Sequence, residues 1–466
     1  MKTRVFRELG VPPAAIPLAQ QAARDAKRGT GLSRDALKAF IVEVLQDPAA
    51  HLASEIWGDL ARAILKQQQA RKAYTPRESP APYRQWGDGL EAQSVDQMRW
   101  ACQLPVALRG ALMPDAHLGY GLPIGGVLAT ENAVIPYAVG VDIACRVKMT
   151  VLDLPNDSLE TDFDRLKSAL VRETQFGVGA KFKQRRRHDV MDHDWNVSPI
   201  TRENKDRAWA QLGTSGSGNH FVEFGLLSIG ADAGLDLPEG KYLALLSHSG
   251  SRGTGAAVCQ EYSKRAMDAH PELPDKLRHL AWLDLDTEDG QEYWAAMNLM
   301  GEYASANHAC IHRHIKEALG AEVLLDIENH HNFAWKETHD GKEVIVHRKG
   351  ATPAGKGVLG IIPGSMATPT YIVRGRGEPE SLNSAAHGAG RVMSRRKAHR
   401  TLNWEDARAF LKERGVTLLS AGLDEVPAVY KDIRQVMNAQ ADLVEPLATF
   451  QPKLVRMAKA GERPED

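Results

Sequence analysis

Through roughly the first 75 residues, apolar positions return every three or four places, the period of a helix that buries one face. The stretch "IPLAQQAARDAKRG" (16–29) ends on glycine, and "SRDALKAFIVEVLQDP" (33–48) opens on Ser33 as N-cap and stops before a proline. A third, "ASEIWGDLARAILKQQ" (53–68), repeats Ile56, Leu60 and Ile64. None of the three carries a cluster of reactive groups. "TPRESPAPY" (75–83), with three prolines, reads as a linker. The division predicted is a helical extension and linker over 1–82 and a second region over 83–466.

Beyond Tyr83 the period shortens to that of strands broken by Gly, Pro and Ser. The runs are "GGVLAT", "VKMTVLDL", "HFVEFGLL", "YLALLSHS", "VLLDI", "EVIVHRKG" and "TYIVRG". One long helical pattern, "EDGQEYWAAMNLMGEYASANHACIHRHIKEAL" (288–319), interrupts them. Helices fall at irregular intervals and no βαβ alternation is kept. The fold class predicted is therefore α+β, a sheet-rich core with inserted helices, rather than a doubly wound sheet.

A chain of 466 residues with 43% hydrophobic content can fill a large core. It has no apolar run near the roughly 18–20 residues of a membrane span, and "MKTRVFRELGVPP" lacks a signal peptide's apolar stretch, so a cytoplasmic location is expected. Four scattered cysteines without a CxxC pair exclude a disulfide framework or a zinc ribbon. A net charge of −1 means that a nucleic acid would have to be held by local patches. "KFKQRRRHD" (181–189) and "SRRKAHR" (394–400) are the two candidates.

Metal-capable side chains sit where these strands end, beside glycines. "GVDIACRV" offers Asp142 and Cys145; "GTSGSGNHFVEFG" offers Asn219, His220 and Glu223; "LLSHSGSRGTG" offers His248; "IENHHNFAWKE" offers His330, His331 and Asn332. Imidazole, carboxylate and one thiolate form a donor set suited to Mn, Fe, Co or Zn and poor for Mg or Ca. Two divalent ions held by Asp142, a Cys145 thiolate and three neutral histidines would keep a net charge near +2, which favours a phosphate or triphosphate guest. A second cue is "AAHGAGRVMSRR" (385–396), in which His387 precedes Gly388, Ala389 and Gly390, leaving room for a bulky polyanion to reach the backbone N–H groups.

Nine motifs stand in one order: "MPDAHLGYGLPIGGV", "GVDIAC", "SGSGNHFVE", "HSGSRG", "HHNFAW", "HRKGAT", "IIPGSM", "HGAGR" and "YKDI". In these, from about Tyr83 onward, the chain resembles the RtcB family of RNA-splicing ligases. The resemblance implies an RtcB-like core and a GTP- and manganese-dependent enzyme. Such an enzyme joins RNA 3′-phosphate or 2′,3′-cyclic phosphate ends to 5′-hydroxyl ends through a histidine that carries GMP. It implies that His387 is that histidine. Asp142, Cys145 and His220 would hold one manganese, and Cys145, His248 and His331 the second. The guanylate pocket would comprise Asn219, His220, Phe221, Val222 and Glu223, then His331 and Asn332, then Pro363, Gly364, Ser365 and Met366, with Thr370. His387, Gly388, Ala389 and Gly390 would complete it, with Tyr430 near the base and Lys459 as the C-terminal lysine.

Arg146 stands where the family usually has glycine, Thr370 where serine is common, and the helical extension lies outside the shared core. The same resemblance leaves RNA ends, DNA ends and an accessory activator protein as candidate partners. A guanidinium at 146 suggests a contact to a terminal phosphate or an altered choice of nucleic-acid end. The competing readings are a metal-dependent phosphoesterase, an enzyme capping nucleic-acid 3′ ends, and a non-catalytic RNA-binding scaffold. The intact "HGAGR" speaks against the phosphoesterase, and the complete ligand set against the scaffold.

Overall fold

The structure is a computed structural model that describes residues 1–12, 15–73 and 75–463. It divides into two compact units, Met1–Pro76 with Met267–Arg278, and Arg77–Ala266 with His279–Asp466. No pattern in the sequence signalled that 267–278 would group with the first 76 residues.

The first unit contains the helices Thr3–Glu8, Ile16–Thr30, Arg34–Gln46 and Gly58–Ala73. Ser33 caps its helix as expected, its hydroxyl accepting from Ala36 N at 3.2 Å, and the preceding helix ends at Gly31 with φ of 69°. The helix expected from residue 53 begins only at Gly58, because Ile56 and Trp57 belong to turns before it. Phe6, Ala19, Ile41, Val44 and Leu60 are fully enclosed, so this unit has a core of its own.

The second unit is built on two sheets, and all seven strand runs expected from the sequence lie in them. The larger has the order Leu359–Ile362, Thr370–Gly375, Val444–Met457, Phe221–Ile229, Gly240–Ser249, Arg146–Leu152, Val323–His330. The smaller has the order Tyr83–Gln85, Ala107–His117, Ile124–Thr130, Lys342–Lys349, Asn332–His339. The fold is thus α+β with a sheet-rich core, and no helix among the described residues is long and apolar enough to cross a membrane.

The strand Arg146–Leu152 shows why the core reads poorly as a simple alternation. All seven residues are buried. Val147, Met149 and Val151 join an apolar cluster, whereas Arg146, Lys148 and Thr150 pair with Glu328, Asp326 and His312. His312 lies on the helix Glu288–Leu319, which Thr287 caps at its start and Gly320, at φ 54°, ends. This strand lies between Gly240–Ser249 and Val323–His330, with Arg146 opposite both Ser249 and His330. Phe221 pairs with His248 across the next ladder, so the ends of four neighbouring strands meet at one place.

Candidate active site

The strand ends bring together all five side chains expected to bind metal. Cys145 directly precedes its strand, and the turn before it passes through Ala144 at φ 56°, a conformation a β-carbon disfavours. That turn is tied to the neighbouring chain by Ala144 N–Asn332 O at 2.6 Å and His331 N–Cys145 O at 3.0 Å. Cys145 Sγ lies 3.4 Å from His220 Nε2 and 3.1 Å from His248 Nε2. His248 Nε2 is 3.3 Å from His331 Nε2, and His220 Nε2 is 3.0 Å from Asp142 Oδ2.

The atoms form two buried triads, Asp142–Cys145–His220 and Cys145–His248–His331, which share the thiol. Separations of this size are the edges of a polyhedron whose metal bonds measure about 2.0–2.3 Å, so the donor set fits two transition-metal ions bridged by one sulfur. The environment fits as well. Burial, reinforced by the charge of His220, presses His248 down to about 3, and burial followed by repulsion from His387 holds His331 well below the usual imidazole range. Both rings are therefore neutral, as ligands must be. His248 donates from Nδ1 to Asn219 O at 3.1 Å, which leaves the Nε2 lone pair aimed into the cluster. For Asp142, burial favours the protonated form, but the hydrogen bond and charge of His220 outweigh it and hold the carboxyl below its usual range. Ser251 N donates to Asp142 Oδ1 at 3.1 Å, and a β-carbon at Gly250 would lie 2.1 Å from that oxygen, so only glycine fits there.

His387 stands next to this cluster, its ring centroid 4.8 Å from that of His331. Its Nδ1 is 2.7 Å from Asp115 Oδ2, and the Asp115 side chain is fully enclosed. A carboxylate oxygen can only accept, so the shared hydrogen sits on Nδ1, and Nε2 makes no hydrogen bond among the described residues. The glycines that follow are needed for contact. Gly390 has φ 71° and packs so closely that a β-carbon would be 2.1 Å from Asp115 O, and one at Gly388 would be 3.1 Å from Pro363 O. Lys431 fastens the same loop: its N–H donates to Gly390 O at 3.0 Å, and its ammonium donates to Pro114 O and Ala116 O at 3.0 and 2.9 Å.

The remaining expected positions lie on several elements. Pro363 packs against Gly388, Ser365 Oγ lies 2.8 Å from Thr368 Oγ1, Met366 is buried, and the buried Thr370 opens the next strand. Tyr430 is half-buried and bridges to Arg391, whose guanidinium lies 5.6 Å from the ring centroid, while its hydroxyl donates to Glu425. Phe221 is tilted against His248 at 5.6 Å, and Val222 is buried in the sheet. Burial raises Glu223 well above its usual range. Asn332 uses its amide on backbone, accepting from Gly350 N at 2.8 Å and donating to Asp142 O at 3.2 Å. Lys459 is exposed just past the strand Val444–Met457, and the tail that follows reaches Ser217, whose hydroxyl donates to Arg463 O.

Two expectations need correction. His330, offered with His331, does not join the cluster; its ring packs on Phe333 and Trp335 at 5.1 and 5.0 Å, and burial lowers it to about 3. Arg146 is engaged within the fold rather than free to meet a terminal phosphate. It is buried and donates to Glu328 Oε1 at 2.8 Å and Gly301 O at 3.0 Å. The basic run at 181–189 is similarly reduced, since Arg186 is buried and donates to Gly213 O and Glu173 O.

Sequence reasoning missed Asp115, Lys431 and the pair Asn307 and His308. Asp115 lay inside a quoted motif, but its partner is 272 residues away. Asn307 accepts from Gly213 N at 2.6 Å and donates to Thr214 O at 2.9 Å, while His308 Nε2 donates to Ser249 O at 3.0 Å. Together they brace the strand end that carries His248, and nothing in a helical pattern distinguishes them from ordinary core positions.

The profile of a protein family described as tRNA-splicing ligase RtcB matches residues 97–458. The chain is 34% identical over 414 residues to RNA-splicing ligase RtcB of Escherichia coli (strain K12), covering 79% of this chain and 96% of that one. It is 33% identical over 421 residues to RNA-splicing ligase RtcB of Mycobacterium tuberculosis, covering 75% and 97%. It is 31% identical over 426 residues to tRNA-splicing ligase RtcB of Methanococcus maripaludis, covering 75% and 88%.

Proposed function

The chain belongs to the RtcB family, and on that footing we propose that it is an RNA ligase that uses GTP and manganese to join 3′-phosphate or 2′,3′-cyclic phosphate ends to 5′-hydroxyl ends. The observation that carries this reading is the pair His387 and Asp115, held at 2.7 Å beside His331. A phosphoesterase whose nucleophile is metal-activated water needs the metal ligands but not a histidine held at Nδ1 by a buried carboxylate.

In the proposed sequence His387 Nε2 attacks the α-phosphorus of GTP. The bond to the β-phosphate oxygen breaks, and pyrophosphate carries away the electron pair. Asp115 orients the ring through Nδ1 and offsets the positive charge that the imidazole gains as Nε2 bonds to phosphorus. An oxygen of the RNA 3′-phosphate then displaces His387 and accepts GMP. The 5′-hydroxyl oxygen attacks the activated 3′-phosphorus, GMP leaves, and the hydroxyl proton passes to solvent. Asp142, Cys145, His220, His248 and His331 would hold the manganese ions, which supply charge neutralisation at the phosphates and activation of water for opening a cyclic end. Glu223, whose carboxyl burial raises well above its usual range, has the chemistry to meet the N–H edge of guanine once ionised. A cytoplasmic location and an accessory activator protein belong to the same reading.

The test is incubation with GTP labelled at the α-phosphate and with manganese, followed by a denaturing gel. Label that stays on the protein and disappears from a His387→Ala variant supports the reading; label absent from the unsubstituted protein rejects it. Adding RNA with defined 3′ ends then reports which ends are sealed.

A further inference from the structure

The three most exposed large apolar side chains among the described residues are Tyr120 at 63%, Val392 at 52% and Leu118 at 48%. All three lie within five residues of Asp115 or His387 along the chain. Exposed apolar groups scattered over a surface need no explanation, but three placed so near Asp115 and His387 in the chain do.

The segment that presents Tyr120 is a hairpin turn, residues 118–123, closed by the register pair His117 and Ile124. Its neck touches the nucleophile's surroundings at both ends. Asp115 holds His387, and Ile124 packs against Gly350, where a β-carbon would stand 3.2 Å from His387 Cε1. Five extended residues span at most about 17 Å, so Tyr120 cannot be farther than that from Asp115.

The turn is held still while these side chains remain in solvent. Leu118 N donates to Glu91 Oε2 at 3.0 Å; Gly119 N donates to Gln97 Oε1 at 3.1 Å; Gln97 Nε2 returns a bond to Gly119 O at 2.6 Å. The buried Lys349 ammonium donates to Tyr120 O and, at 2.9 Å, to Tyr137 O. The His279 ring meets the Tyr120 ring edge to face at 5.8 Å. The glycines leave no slack, since a β-carbon at Gly119 would be 2.8 Å from Leu122 O and one at Gly121 2.5 Å from His279 O. Four side chains thus fix three consecutive residues, and fixing an aromatic ring in water lowers the entropic cost of binding a flat partner.

We propose that Tyr120 is a stacking platform for a nucleobase of the RNA strand at the end being joined, with Leu118 of the same turn as its apolar neighbour. The proposal rests on the ligase reading above and adds a base-binding subsite to it. Bases adjoin every RNA end, and stacking on an aromatic ring tolerates any sequence, as an enzyme that joins varied ends requires.

The test is the dissociation constant of a short 3′-phosphorylated RNA, read by fluorescence anisotropy, which needs no sealing. Tyr120→Ala is expected to weaken binding about tenfold, whereas Tyr120→Phe, which keeps the ring, is expected to stay within about twofold. An RNA whose terminal nucleotide is abasic should bind the unsubstituted protein and Tyr120→Ala equally. Running the abasic site at the 3′-phosphate end and at the 5′-hydroxyl end identifies which base is stacked. Unchanged affinity in Tyr120→Ala, or an equal loss with abasic and intact RNA, overturns the proposal. Failure of the ligase reading shows separately, as absence of GMP on His387.

Discussion

Replacing Asp115 by Asn keeps the volume of a fully enclosed side chain and removes its charge. The 2.7 Å bond from His387 Nδ1 belongs to the charge-assisted class, with a net value of about 1.5–3 kcal/mol, against about 0.5–1.5 kcal/mol for a neutral pair. The difference, about 1–2 kcal/mol, corresponds to roughly 5- to 30-fold in rate. The imidazole becomes cationic as Nε2 bonds to phosphorus, so the missing charge weighs more at that step, and a loss of about 100-fold in protein–GMP formation is expected. The assay is the single-turnover rate of label transfer from GTP, with metal content and melting temperature followed in parallel. Asp115 touches none of the five metal-binding side chains, so both controls should match the unsubstituted protein. A variant that labels within about threefold of the original rate would show that the carboxylate neither orients nor stabilises His387.

Cys145→Ser is expected to lose both bound metals and protein–GMP formation while keeping its sheet, because a hydroxyl is a poor bridging anion near neutral pH; metal analysis and circular dichroism check this. Arg146→Gly is expected to cost about 1.5–3 kcal/mol by removing the 2.8 Å bond to Glu328, which keeps Ser305 and Lys148 as partners; this should be visible as a lowered melting temperature, while RNA-end affinity stays within about twofold. A selective loss of end affinity at unchanged stability would restore the phosphate role. His347 is buried and neutral at about 4, since burial opposes its charge and its Nε2 accepts from Ile135 N at 2.9 Å. Its folded value lies below the unfolded one, so its stabilisation is complete above about pH 6.5 and declines as pH falls toward 4, by about 1.4 kcal/mol at pH 5.5. Replacement of His347 by Gln should flatten that part of the melting profile.

The strands and the long helix 288–319 were legible because burial imposes a period on the sequence, and the metal-binding side chains because they cluster beside glycines at strand ends. What failed did so for physical reasons. His330 and His331 are adjacent and identical in type, yet one residue along a strand reverses the face, which no composition rule resolves. Arg146 looked catalytic by position, but it points to the helix-covered side of the sheet, where Glu328 waits. Asp115 was invisible as a partner of His387 because only the completed sheet brings 115 and 387 together.

Convergence of the ligands has a bearing on the life of the protein in a cell. The Cys145 sulfur and its histidine partners join segments 75 and 103 residues apart, and His248 and His331 are separated by a further 83. An ion that ties such distant segments binds the folded chain and has little hold on the unfolded one, so its binding free energy is added to folding. Metal-starved chains should spend more time open at these strand ends, where proteases act. Scarcity of the ion would then set how many copies persist as well as how fast each one works.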